Sequence, residues 1–521
     1  MKPVKSNQNW PVNMNRRRFV ATSAACLGCL SVMPLMGMNY SSEGMSMKKM
    51  RIRVVYSLHA DKQAQPDWPN VGFDFNPVME RINNSLVKNF ADFEFLPVTA
   101  TGQEEAKKII QQDKTENIDG YIVYQLNCWN QVIQTISETG KPVLYADFQF
   151  GGSGGFLVYN SAFLRNGDKN VGYVASSELN DMIGAVACFR EIQKGGSVAD
   201  FKNATSNVRI RNTPRTKNLN IKADELTMLS PEECVKQMQS SKILAIRDTK
   251  SGVNKPLAGI PVEQVSFAEL NAAWEAADKD QSQEVAARWQ KNAKDITGVT
   301  VETLQTSAAM YLGMKQVLKN HNANAITVNC LGGFYGGHIH AYPCLGFHEL
   351  CNEGLIGACE CDVNSTATMV TGTLLTKGRP GYISDPVIDT SKGQIIYAHC
   401  VASNKVFGPT GNTNPFSIMT HSEDRQGASV RSYLPENYIT TTLEIHSDKK
   451  EILFHQALAV ANDPDDRACR TKLCAEPLGD IEKLFTQWDK WGWHRVTFYG
   501  DLKEPVFALA DVLGFKVVEE A

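Results

Sequence analysis

The sequence predicts an α/β protein: two N-terminal Rossmann-like parallel-sheet α/β domains followed by a β-rich α+β C-terminal domain. Three observations carry that expectation. Apolar strand-like runs alternate with amphipathic stretches from about residue 48 to 330, the pattern of parallel sheets. Near residue 340 the texture changes to short alternating segments, Gly/Pro turns and Thr-rich runs such as "NYITTTLEIH", which favour strands. At 521 residues the chain has room for about three domains of ~150 residues each.

The first 47 residues stand apart. "NRRRFVATSAACLGCLSVMPLMG" carries Arg16, Arg17 and Arg18, then Phe19, then a weakly apolar run broken by Gly28, Pro34 and Gly37. A polar spacer follows. This reads as a twin-arginine export signal, with the twin-arginine translocase as partner, the periplasm as destination, and no stable membrane insertion once the signal is removed.

Element by element, "KKMRIRVVYSL" reads as a strand and "FNPVMERINNSLVKNF" as an amphipathic helix. "FEFLPVTA" is a strand, "GQEEAKKIIQQ" a helix, "DGYIVYQL" a strand, "NQVIQTISETG" a helix and "KPVLYADF" a strand. These fill a first α/β domain, 48–168. "FGGSGGF" lacks both the G-x-G-x-x-G order and a Lys-Ser/Thr ending, so it reads as a flexible loop. In a second α/β domain, 169–340, "KILAIRD" and "AITVNC" are strands. "ELNDMIGAVACFREIQ", "FAELNAAWEAADKDQSQEVAARWQKNA" and "VETLQTSAAMYLGMKQVLKNH" are helices. The β-rich domain, 341–521, closes with a strand, a helix and a strand.

Net charge is −3 with Lys and Arg scattered, which leaves nucleic acid without an electrostatic footprint. Two of the thirteen cysteines lie in the signal, and the remaining eleven cannot all pair. Most sit in apolar surroundings and read as buried thiols; Cys469 and Cys474 are left open as a pair. No C-x-x-C follows the signal, so a zinc knuckle is not expected. A homo-oligomer stays open.

Candidate chemistry concentrates after residue 340. "LIGACECDVNSTATMVTGTLL" sets Glu360 between Cys359 and Cys361, with Asp362 two residues on. On a strand the two acids would share a face. Buried carboxylates need a partner, a proton or a metal. Asp385 in "RPGYISDPVID" and His399 in "QIIYAHC" each end an apolar run. Two carboxylates with imidazoles suit Mg²⁺, Mn²⁺ or Zn²⁺. "GGHIHAYPCLGFHEL" reads as a connector with pocket-lining histidines. "IMTHSEDRQGASV" (His421, Glu423, Arg425) and "DDRACRTKLC" (Arg467, Arg470) could bind a sugar or lie in solvated loops.

"ACECD", "TGTLLTKGRPGYISD", "YAHC" and "GWHRVTFYGD" together resemble the L-fucose/L-arabinose isomerase-like superfamily, over about 330–521. The resemblance implies an aldose–ketose isomerase with a divalent cofactor, usually Mn²⁺. It implies Glu360 and Asp385 as metal ligands that also move the sugar's protons, and His399 and His494 as imidazole ligands, one or both used. His421, Arg425 and Arg470 would complete the substrate pocket, and Asp362 would orient a ligand. Family members are cytoplasmic and longer, which sets this exported chain apart. A lyase, epimerase or hydrolase on a modified sugar, or a non-catalytic periplasmic sugar-binding protein, are the competing readings.

Overall fold

Five strands, β1 (Met50–Ser57), β2 (Phe93–Ala100), β3 (Gly120–Gln125), β4 (Val143–Asp147) and β5 (Val171–Val174), form an all-parallel sheet in the order β2-β1-β3-β4-β5. The protein is seen in a computed structural model that describes residues 49–167, 170–215 and 220–521. The arginine-led signal lies outside them. β3, β4 and β5 are buried along their whole length, as strands covered on both faces are, whereas β2 at the edge is partly exposed.

A second sheet combines β6 (Ile243–Arg247), β7 (Gly252–Leu257), β8 (Ile260–Ser266), β10 (Ala325–Val328) and β11 (Ile356–Ala358), in the order β11-β10-β6-β8-β7. It is parallel except for the β7–β8 edge hairpin. The sheets run later in the sequence than 168 and 340: β5 and β11 each complete a sheet past those limits. β9 (Ile296–Thr297) joins β14 (Phe416–Met419) and β15 (Ser429–Ser432) in a small sheet.

The remaining strands build the β-rich part. β12 (Tyr382–Asp389), β13 (Gln394–His399), β16 (Ile439–His446), β17 (Glu451–Asn462), β18 (Thr471–Pro477) and β19 (Arg495–Tyr499) follow the order β16-β19-β12-β13-β18-β17. A further β16–β17 pairing closes them into a six-strand antiparallel barrel. β20 (Lys516–Glu519) adds to β17 in parallel. Alternation along β13 serves two cores. Ile395 and Tyr397 join the first sheet's apolar cluster, while Ile396 and Ala398 join the second sheet's. The barrel is thus the wall to which both α/β units pack.

Two local readings change. Glu360 and Asp362 are not on a strand: β11 stops at Ala358, and Asp362 caps a helix, Val363–Leu375. "FGGSGGF" is not a free loop either, since a helix, Ser153–Asn166, begins inside it. Among the described residues, no helix is long and apolar enough to cross a membrane, and all eleven cysteines are free and buried, Cys469 and Cys474 included.

Candidate metal centre and cleft

β12 lies between β13 and β19, and strand register decides who meets whom. Asp385 pairs with Ala398, and Ser384 with Arg495, so His399 and His494 flank Asp385 at one barrel rim. Glu360 arrives from the second sheet, two residues past β11. One ligand atom from each of Glu360, Asp385, His399 and His494 falls within 4.8 Å of the others. His494 Nε2 is 3.3 Å from Asp385 Oδ1 and 3.4 Å from Glu360 Oε2. His399 Nε2 is 3.7 Å from Glu360 Oε1. Glu360 is the open member, its side chain 29% exposed against 2% for His399 and 4% for His494.

The turn that delivers Glu360 is strained. Glu360 and Cys361 both take left-handed backbone, φ 60° and 54°, costing about 1–2 kcal/mol each for non-glycine residues. Arg247 pins it, its Nε donating to Cys361 Sγ and its Nη2 to Cys361 O, at 2.9 and 2.8 Å. Strain held in place this way is common where a side chain must be aimed.

Asp362 has two tasks. Its carboxylate accepts from Ser365 N at 3.0 Å, capping the helix. It also stands 3.0 Å from His494 Nδ1. Burial opposes ionisation of Asp362, but His494 and Ser365 hold its carboxyl below the usual range, so Nδ1–H must be the donor. That leaves the His494 Nε2 lone pair facing Glu360 and Asp385, the carboxylate–histidine arrangement that orients metal ligands. Asp362→Asn keeps the cap but loses the charge; metal titration should show about tenfold weaker binding.

The residues fit a divalent ion. Nε2 of His399 and Nε2 of His494 are both buried without a protein hydrogen-bond partner, which buried polar atoms rarely are. Carboxylate oxygens and imidazole suit Mn²⁺ or Mg²⁺ better than a soft metal. The two histidines differ, however. Cys400 N–H donates to His399 Nδ1 at 2.9 Å, which places the neutral ring's proton on Nε2. Glu360, Asp385 and His494 therefore present free electron pairs, and His399 becomes a fourth donor only when that proton moves. A proton on His494 supplies positive charge at the same place as a cation would. Burial works against it, yet Glu360, Asp362 and Asp385 raise His494 well above its ordinary range. In turn, against burial, His494 and then His399 pull Glu360 down to about 2.

The centre opens on a cleft of about 630 Å³. His59, Asp67 and Trp129 come from the first α/β unit, Leu331 and Tyr335 from the second, Glu423 from the connection between β14 and β15, and Asp385 and Trp493 from the barrel side. Trp493 donates its indole N–H to Asp385 Oδ1 and meets Trp129 edge-to-face at 5.1 Å. The glycine run explains itself here: a Cβ on Gly154 would sit inside the Trp493 ring. Glu423, whose oxygen lies 3.5 Å from the Tyr335 hydroxyl, is driven by burial up to about 8, with Asp67 and Glu360 adding to the rise and His421 opposing it.

The remaining sequence candidates sit elsewhere. Arg470 spends its donors on Thr420 and Asp466, and Arg425 pairs with Asp466 at 2.9 Å. Both hold the segment around Asp466. His421 is buried beside Asp424 and the Tyr342 ring. His348 is a core residue bonded to Ala402 O and Asn352. His338 stacks on Phe267. Trp129, Trp493 and Arg247 escaped sequence reasoning. Only "GGSGG", which announces a close approach of something bulky, was a usable signal.

Fold and site together define an α/β protein carrying a candidate divalent-metal centre on the rim of a small barrel. No family model matches the chain. It is similar to a sulfoquinovose isomerase of Clostridium sp. (strain MSTE9), 26% identical over 212 residues, 39% of this chain and 46% of that protein. It is also similar to a sulfoquinovose isomerase of Priestia aryabhattai, 24% identical over 155 residues, 28% and 34% of the two chains. The chain spans less than half the length of these curated relatives. Among solved structures, a sugar ABC transporter protein from Yersinia enterocolitica aligns over 54% of this chain and 65% of its own, at 11% identity and a TM-score of 0.16. A solute-binding protein from Agrobacterium vitis bound with alpha-D-tagatopyranose aligns over 54% and 75%, at 13% identity and a TM-score of 0.18. Likeness at such TM-scores bears no argument.

Proposed function

We propose that this protein is a metal-dependent aldose–ketose isomerase acting on an uncharged sugar. The observation that carries the reading is the convergence of Glu360, Asp385 and His494, with an orphaned imidazole nitrogen, at a cleft with room for a monosaccharide. The likeness to proteins named as sugar isomerases points the same way.

Among its lining residues the cleft has four carboxylates (Asp67, Glu360, Asp385, Glu423), the aromatic rings of Trp68, Trp129, Tyr335 and Trp493, and no Lys or Arg. Rings pack against sugar C–H faces, and carboxylates accept hydroxyl protons. A sulfonate is best paired by Lys or Arg, which this lining lacks, so the reading favours a substrate other than the sulfonated sugar in the relatives' names. A divalent ion held by Glu360, Asp385 and His494, most suitably Mn²⁺, would supply Lewis-acid stabilisation of charge developing on adjacent sugar oxygens. The chain's own part is proton movement. One of the Glu360/Asp385 pair takes the proton from the carbon beside the carbonyl and returns it to the neighbouring carbon, while the hydroxyl proton passes from the oxygen of the first carbon to that of the second. Glu423, protonated near neutrality, donates to the ring oxygen as its bond to the anomeric carbon breaks and the anomeric hydroxyl gives its proton to a cleft carboxylate, so that the sugar opens. Trp493 fixes Asp385 throughout.

Export is part of this reading and rests on Arg16 and Arg17; undiminished secretion from cells lacking the twin-arginine translocase would remove it. The chemistry is tested by NMR of uncharged aldoses in D₂O with the metal-loaded protein. The C2 proton should exchange with solvent at a rate tied to ketose formation. Conversion of sugar sulfonates alone would overturn the substrate class, and tight sugar binding without any turnover would favour a binding protein.

A further inference from the structure

We propose that Cys330 and Cys359 form an oxidisable dithiol, a modification site whose disulfide displaces the turn carrying Glu360. β10 and β11 are parallel neighbours, with Thr327 paired to Ala358. Cys330 and Cys359 therefore leave the same sheet edge side by side. Their sulfurs are 3.0 Å apart, and both residues are buried, 3% and 5% exposed. Each is one residue from the cleft wall, because Leu331 and Glu360 line it. Their burial restricts the oxidant to a small one, hydrogen peroxide rather than a bulky disulfide.

The chemistry balances with hydrogen peroxide as oxidant. One cysteine sulfur attacks a peroxide oxygen, the O–O bond breaks, and the thiol proton leaves with the departing hydroxide as water. The sulfenic acid so formed is attacked by the second sulfur; its S–O bond breaks and a second water departs. Two thiols are oxidised and one peroxide is reduced to two waters.

Closing the bond to about 2.05 Å draws the sulfurs together by roughly 1 Å. Cys359 is covalently joined to Glu360, whose turn is left-handed and pinned at Cys361 by Arg247. The shift therefore passes to the Glu360 carboxylate and alters the ligand distances it would set for a metal. This consequence, unlike the dithiol itself, rests on Glu360 being a metal ligand.

The test uses the full protein, reduced and then treated with stoichiometric hydrogen peroxide. Non-reducing peptide mass spectrometry should find the Cys330 and Cys359 peptides linked and lacking both thiol hydrogens. Mn²⁺ binding should weaken about tenfold, and a thiol reductant should reverse both changes. Cys330→Ser and Cys330→Ala should show neither. Absence of the linked peptide from the oxidised wild type, or linkage of either cysteine to a different partner instead, overturns the proposal. A Cys330–Cys359 link with unchanged Mn²⁺ binding overturns the displacement of the turn. A link in a protein that binds no Mn²⁺ even when reduced upholds the dithiol and removes the metal reading instead.

Discussion

Glu360→Gln is expected to lower turnover by at least two orders of magnitude, the usual contribution of a positioned acid–base group. Gln keeps the side chain's size, and the left-handed turn, held by Arg247, places no new demand on it. What disappears is the most exposed carboxylate of the centre, and with it both a base and a ligand charge. His494, lifted largely by Glu360, should also become less basic. Asp385→Asn should cost a comparable amount. The double variant should lose far less than the product of the two, because both groups serve one intermediate. Thermal melts near the wild type's would exclude unfolding as the cause. Retained activity in Glu360→Gln, with Asp362→Asn abolishing it, would move the centre to the other acid.

The second large effect concerns stability. Arg495, fully buried at 0% exposure, bonds Glu520, 3% exposed, at 2.7 Å. His455 approaches the other Glu520 oxygen at 3.0 Å. Arg495 also stacks on Trp488 and donates to the His494 carbonyl, so this pair holds the segment that carries the ligand. Glu520→Gln leaves a guanidinium buried without its counter-charge and should cost about 3–5 kcal/mol, read from denaturant midpoints at pH 7. The pH dependence has a definite sign. Burial disfavours the Glu520 carboxylate, but Arg495 and then His455 hold its carboxyl down at about 2. Its contribution is full above the unfolded value near 4.3 and is lost as pH falls from there towards 2. The variant should lack that part of the acid limb, and an unchanged midpoint would show the pair to be dispensable.

The α/β halves were legible because most of their parallel strands, such as β3 and β4, are short buried apolar runs followed by a helix. The helix Val363–Leu375 was not. Its Thr-rich stretch looks like a strand, yet Thr368 and Thr371 turn their hydroxyls back to Asn364 O and Ala367 O, which lets them sit in a buried helix. Glu360, Asp385, His399 and His494 could be picked out as polar residues at the ends of apolar runs. That the last three would meet depends on the order of β13, β12 and β19, which no local pattern encodes. The inequality of the two histidines depends on one backbone amide, at Cys400. Arg425 and Arg470 looked like substrate ligands because the sequence shows their charge but not Asp466, which accepts from both.

The most direct test of the metal centre is a calorimetric titration of Mn²⁺ into chelator-stripped protein, run near pH 7 in two buffers of different ionisation enthalpy. The account requires one ion per chain, loss of binding in Glu360→Gln and His494→Gln, and release of about one proton per ion. That proton comes from His494, whose raised affinity for it should make metal binding keep strengthening above pH 7 instead of levelling off near pH 6. Absence of saturable binding by any divalent ion, or binding that survives both substitutions unchanged, would contradict it.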